Sequence, residues 1–289
     1  MSSPLRLQVP TPHEYFAMLV AEDAGLNLLE AAASIAQDEE PEVDVQSVVC
    51  QVDALSRRLR ERLAQDAAPL HRLRMLNRFF HGELGFAGNI NNFYDSSNSY
   101  LHCVLATRRG IPISLAVIYL ELAASIGLRA QGIAFPGHFL VNVHLPQGEV
   151  ILDPLSGESL SRASLEEALL PYRAQAEAEV AELPLEQLLR PATPRQILAR
   201  MLRNLKEIHR GHGQWERLLR VQQRLLLLLP DDVAELRDRA EVQELLGQWE
   251  GACVDLERYL ALSPEASDRL EVLTRLVGLR GRAGGPTLH

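Results

Sequence analysis

Three residues of this 289-residue chain have the types that thiol chemistry needs: Cys103, His138 and Asp153. In such chemistry a thiolate attacks, an imidazole within hydrogen-bond reach moves the proton, and a carboxylate orients the ring. His138 opens an alternating stretch to Leu145, and Pro146-Gln147-Gly148 turns it back into Val150-Ile151-Leu152, which stops at Asp153-Pro154. Alternation of period two predicts a hairpin, with Phe139, Val141, Val143 and Leu145 on one face. Histidine and aspartate then meet at one end of it. A thiolate is best made at a helix N-terminus, where the dipole lowers its pKa. The apolar helix after Gly110 offers that place, and Pro112 stands there.

Each candidate has a plain structural reading beside the chemical one. Cys103, nine residues before Pro112 and beside Val104 and Leu105, is either an inert core thiol or a displaced nucleophile. Ser114 is a capping or solvent-facing hydroxyl, or a substitute nucleophile. His138 is a base or a strand-end histidine bonded to Asp153, and Asp153 orients that ring or forms an Asx turn before Pro154. Tyr94, Asp95 and Asn98 lie in a glycine- and asparagine-rich stretch, 81–99, read as a long ordered loop that lines a cleft or simply turns. Arg108-Arg109 is an anion site or a helix C-terminal charge pair. His102 and His144 have no carboxylate or cysteine at ligand spacing in the sequence. No metal site is expected, and without a Gly-rich phosphate loop, HExxH or dinucleotide fingerprint no cofactor is either.

The elements that must position these residues are mainly helical. Hydrophobic residues make up 47% and aromatics only 5%, a balance that favours helices over a sandwich or barrel. Apolar residues recur at three- and four-residue steps from His13 to about Phe80, interrupted by the acidic run Asp38-Glu39-Glu40-Pro41-Glu42. Ser99 to Arg108 reads as a short helix. Ile113 to Ile126 reads as one apolar almost all round, opened by Pro112 and stopped by Gly127. Ser164 with Glu167 and Thr193 with Gln196 match the capping box. Gly213-Gln214-Trp215-Glu216 recurs 34 residues later as Gly247-Gln248-Trp249-Glu250, and Arg224, Leu226, Leu228 and Pro230 recur at the same offset. That period is the tetratricopeptide helix–turn–helix repeat. The leucine run 225–229 fits a repeat helix packed on both sides.

Gly110-Ile111-Pro112-Ile113-Ser114-Leu115-Ala116, Gly127-Leu128, His138-Phe139-Leu140-Val141 and Leu152-Asp153-Pro154 together resemble the core of the transglutaminase-like superfamily, Gly-x-Cys-x-x-x-Ala followed by a buried helix, a strand with His and a strand with Asp. The likeness to the SirB1 family within it is closer, through Tyr94-Asp95, Asn98-Ser99-Tyr100-Leu101, Arg108-Arg109-Gly110-Ile111-Pro112-Ile113-Ser114-Leu115, Pro136-Gly137-His138 and Asp153-Pro154. The resemblance implies an α+β, mainly helical chain: a transglutaminase-like, papain-like core with a small antiparallel sheet over residues 1–190, then α-helical tetratricopeptide repeats over 191–289. It also implies that a nucleophilic cysteine would stand where this chain has Pro112. The expected function is therefore a non-catalytic, pseudoenzyme-type interaction or regulatory module whose repeats, and the cleft beside His138, take a protein or peptide partner. The alternative is a cysteine-dependent amide hydrolase or acyltransferase using Cys103, His138 and Asp153. A minor option is transcriptional regulation through indirect contacts.

Lys+Arg 29 against Asp+Glu 38, a net charge of −9, argues against direct nucleic-acid or membrane partners. No apolar segment follows Met1-Ser2-Ser3-Pro4-Leu5-Arg6, so no secretory leader is expected. Three scattered cysteines, Cys50, Cys103 and Cys253, fit a reducing, cytoplasmic compartment.

Overall fold

A computed structural model describes residues 10–89, 91–92, 94–175 and 183–283; the Met1–Arg6 stretch lies outside them. The chain divides into two compact units, 1–201 and 202–289.

The first unit begins with α1 (Pro12–Leu19), α2 (Leu28–Ser34), a 3-10 turn (Ile35–Asp38), α3 (Val45–Arg60) and α4 (Pro69–Asn77). Asp44 caps α3 by accepting the Gln46 and Ser47 N–H groups, and Val45, Val48, Val52, Leu55 and Leu59 form its buried stripe. The described residues of 81–99 hold short regular elements within the expected loop. Helix α4 continues as a π-helical turn, Arg78–Glu83, and β1 (Ala87–Gly88) pairs in parallel with β2 (Arg109–Gly110). A 3-10 turn, Ser96–Ser99, then leads into α5 (Leu101–Thr107). Helix α5 ends at Arg108, whose φ of 60° is the left-handed cap that redirects the chain into β2.

Helix α6 (Pro112–Ser125) is buried continuously from Pro112 to Tyr119, as an all-round apolar helix must be. Gly127, at φ +69°, lets the Leu128 N–H return to the Ala123 carbonyl, which stops the helix. The strands β3 (Arg129–Ile133), β4 (Leu140–Leu145) and β5 (Gly148–Leu152) form one antiparallel sheet in that order. Helix α6 packs against β3 and β4. On the other side Ile133, Phe135 and Leu140 join Leu165 and Leu169 of α7 (Arg162–Gln175) and Leu185 of α8 (Leu185–Leu188).

That second layer buries Leu140 on the face opposite Val141 and Val143, so the sheet is covered on both sides. The strand also starts two residues later than its alternation suggests. Gly137, at φ +67°, makes a turn in which the His138 N–H reaches the Phe135 carbonyl, so His138 precedes the ladder. The cap of α7 moves too: Ser161 accepts the Ser164 N–H, placing Ser164 inside the first turn. The Thr193 and Gln196 box forms reciprocally.

The boundary between the units falls within α9 (Pro194–Gly211). The second unit continues through α10 (Trp215–Leu228), α11 (Val233–Leu245), α12 (Trp249–Leu262) and α13 (Arg269–Ala283). The 34-residue repeat is visible bond by bond. Gly213, at φ +65°, donates to Arg210 and Gln214 to His209; Gly247, at φ +71°, donates to Glu244 and Gln248 to Gln243. Trp215 and Trp249 each open the following helix. Leu236, Ala240, Ala252, Leu256, Tyr259 and Leu276 fill the layer between successive helices. Leu225, Leu226 and Leu228 are buried, which accounts for the leucine run.

Candidate functional site

The π-helical turn and the hairpin end deliver three titratable groups to one place. His138 Nε2 stands 3.2 Å from Asp153 Oδ1, and the same oxygen accepts the Leu155 N–H at 2.8 Å. Asp153 therefore orients the ring and makes the Asx turn at once. Burial pushes its carboxyl up, but the hydrogen bond from His138, the Leu155 N–H and the charges of His138 and His81 outweigh burial and hold it below the usual value. The backbone of this hairpin end is tied down as well: the His138 carbonyl accepts from Arg200 at 3.3 Å.

His81 is the residue that sequence reasoning missed. Its Nδ1 donates to the Phe86 carbonyl at 3.0 Å, which leaves the lone pair on Nε2, a buried atom with no hydrogen-bond partner among the described residues. Burial lowers its pKa, against the Phe86 bond and the Asp153 charge. A Cβ added at Gly157 would lie 2.5 Å from the His81 ring, so the loop after Asp153 closes directly over the imidazole. Phe80 stacks on Phe86 at 4.4 Å between centroids and meets Tyr119 edge-on at 5.3 Å, forming the apolar wall. The Tyr119 hydroxyl donates to Asn77 at 2.5 Å, and Asn77 donates to the Gly157 carbonyl at 3.2 Å. Burial pushes the Tyr119 phenol far up, keeping it a neutral donor. A π turn has no periodic sequence signature, and only its tendency to occur at functional sites marks it.

The start of α6 is built without a free nucleophile. Pro112 occupies its first position. Ser114 is fully buried, donates to the Asn98 carbonyl at 2.6 Å and accepts the Ile111 N–H at 3.1 Å. It is a capping hydroxyl, not a solvent-facing one. Gly110 makes room for it, since a Cβ there would lie 2.7 Å from Ser114 Oγ. The buried Asn98 accepts from Asn89 and donates to the Asn92 carbonyl at 2.6 Å, and Asp95 caps Ser97. These contacts brace the loop, while Tyr94 is 75% exposed.

The contacts of Cys103 run to His102 and, through it, to Glu40. Its Sγ lies 3.2 Å from His102 Nε2, and that nitrogen lies 3.3 Å from Glu40 Oε2. Burial, with Glu40, Asp95 and Glu39 nearby, pushes the thiol up. The expectation that His102 and His144 lack partners is corrected. His102 has Glu40 and Cys103, and His144 has Glu149 at 3.0 Å and Gln131 at 2.8 Å. Glu40 is sixty-two positions from His102, beyond any local spacing rule. Of the arginine pair, Arg109 donates to the Gly85 carbonyl at 2.7 Å and Arg108 lies over the Phe86 ring at 4.8 Å.

A small antiparallel sheet against a buried helix, a His–Asp pair at the hairpin end and a following 34-residue helical repeat define a transglutaminase-like domain joined to tetratricopeptide repeats. Family models agree: one for the transglutaminase-like superfamily matches residues 46–203 and one for the tetratricopeptide repeat matches 205–277. The chain is 35% identical to a UPF0162 protein of Xylella fastidiosa strain Temecula1, over 91% of this chain and 93% of that one. It is 32% identical to UPF0162 protein PA3419 of Pseudomonas aeruginosa, over 86% and 89%, and 29% identical to Protein SirB1 of Salmonella typhimurium, over 76% and 80%. The chain belongs to the transglutaminase-like superfamily and, within it, to the family of the UPF0162 proteins and SirB1.

Proposed function

We propose that this protein is a non-catalytic transglutaminase-like module that acts through protein contacts, made by its tetratricopeptide repeats and by the surface beside His138. The observation that carries this reading is Pro112, which has no nucleophilic atom, at the first position of the helix that bears the thiol in the superfamily pattern. Two further facts support it. Ser114 is held by buried hydrogen bonds, and burial of Cys103, with carboxylates nearby, disfavours the thiolate that a nucleophile requires. Stacked repeats of this class present extended surfaces to peptide segments or partner helices. Three cysteines without disulfides are consistent with action in the cytoplasm.

The test is the pH dependence of Cys103 alkylation in a Cys50→Ser, Cys253→Ser background, with a metal chelator present. Slow alkylation at neutral pH, accelerating only under alkaline conditions and unchanged by His138→Ala, is expected. Rapid alkylation below pH 7 that slows in His138→Ala would overturn the reading and make Cys103, His138 and Asp153 one catalytic unit. A displayed peptide library selected on the full chain should enrich one short motif; failure to enrich any would remove the interaction half of the proposal.

A further inference from the structure

Outside the His81, His138 and Asp153 cluster, a second group of chemically capable side chains converges at the start of α5. One ligand atom each from Glu40, His102 and Cys103 lies within 4.8 Å of the other two. We propose that these three residues bind a divalent transition metal of the zinc class, with a fourth position left for water or an external ligand.

Two of the three ligand separations match what a tetrahedral ion imposes. Metal bonds of about 2.0–2.3 Å to nitrogen, oxygen and sulfur place neighbouring ligand atoms roughly 3.3–3.6 Å apart. The imidazole nitrogen is 3.2 Å from the sulfur and 3.3 Å from the carboxylate oxygen. Thiolate and imidazole select a borderline-soft ion such as zinc over magnesium or calcium, which prefer oxygen alone. Three protein ligands give an open site rather than a closed structural one.

The surroundings also favour a cation. Glu39 and Asp95 add their negative charge near the sulfur. That field opposes a bare thiolate and attracts a dication. Binding exchanges the Cys103 S–H bond for a metal–sulfur bond and releases the proton to solvent.

Two elements supply the three ligands. The Glu40 N–H bonds to the Ala36 carbonyl at 3.0 Å, and its carbonyl accepts the Val43 N–H at 3.0 Å, so the carboxylate is presented from a fixed turn. His102 and Cys103 sit in the first turn of α5, where the Tyr100 ring lies nearly parallel to the imidazole. An ion here would cross-link the acidic turn after Asp38 to the helix after Ser99, two segments joined by no short stretch of sequence.

The experiment is titration of the chelator-treated full chain with Co²⁺, followed by visible and near-ultraviolet absorption. A thiolate-to-cobalt charge-transfer band with tetrahedral ligand-field bands is expected; Zn²⁺ should abolish them and Mg²⁺ should not. Cys103→Ser should remove the charge-transfer band, while Cys50→Ser with Cys253→Ser retains it. Glu40→Gln, at an exposed carboxylate, should weaken Co²⁺ binding by about tenfold or more. Absence of the band, or its survival in Cys103→Ser, would overturn the proposal, as would unchanged affinity in Glu40→Gln. These outcomes are independent of the alkylation result, which is read with metal removed.

Discussion

The His81 ring and the backbone of Gly157 are in direct apposition: the imidazole occupies the space that a side chain at Gly157 would need, 2.5 Å from its Cβ position. Gly157 also sits at φ +74°, so two costs meet at one residue. Gly157→Ala should destabilise the chain by about 1–3 kcal/mol, from the left-handed backbone and from overpacking on the ring. In a His81→Ala background the overpacking part disappears and the strain remains. A double-mutant cycle by chemical denaturation would show additivity if the two residues did not touch.

Acid sensitivity follows from the same cluster. His81 has a pKa below its ordinary 6.5, so the unfolded chain takes up the proton first. Its contribution to stability is complete above about 6.5 and is lost as pH falls through the lowered folded value. Asp153 is also lowered, and its contribution disappears further down, as pH falls through a folded value below the usual 3.8. Thermal denaturation should therefore show a decline in Tm beginning below about pH 6.5, and His81→Gln should flatten the first part of it. An identical profile in the variant would remove His81 as the cause.

At the start of α6, Ser114→Ala leaves the buried Ile111 N–H and Asn98 carbonyl without this partner. The expected loss is about 1–3 kcal/mol. Gly110→Ala should cost a similar amount by driving a methyl group into Ser114 Oγ and Val104. Combining them should cost less than the two separately, because removing the hydroxyl clears the space. Urea unfolding of the four chains measures this coupling.

In the repeats, Lys206 Nζ lies 2.5 Å from Glu235 and 2.7 Å from Asp238, and Arg210 also reaches Asp238 at 2.9 Å. Burial raises the Glu235 carboxyl in spite of Lys206. Lys206→Ala strands that carboxylate and should destabilise by about 3 kcal/mol, whereas Lys206→Met with Glu235→Gln should be much milder. Calorimetry on both variants decides between a net-stabilising pair and one that merely becomes costly when broken.

What the sequence by itself determined is whatever depends on neighbours a few residues away. The stop at Gly127, the cap at Thr193, the buried all-apolar α6 and the repeated glycine turns at 213 and 247 all follow from spacing, because helices and turns satisfy their own backbone groups locally. The alternation before Leu145 was enough for a hairpin but not for its starting residue or for the third strand beside it. Nothing local announces that α7 covers the Leu140 side of the sheet. Only the tertiary structure placed His81 against the loop after Asp153, through a π turn without a sequence period. Only it brought Glu40 to His102 and Cys103. Such meetings are decided by which buried faces pack together across tens of residues, and hydrophobic burial is non-directional, so a pattern of residue types shows that a face is covered without naming what covers it.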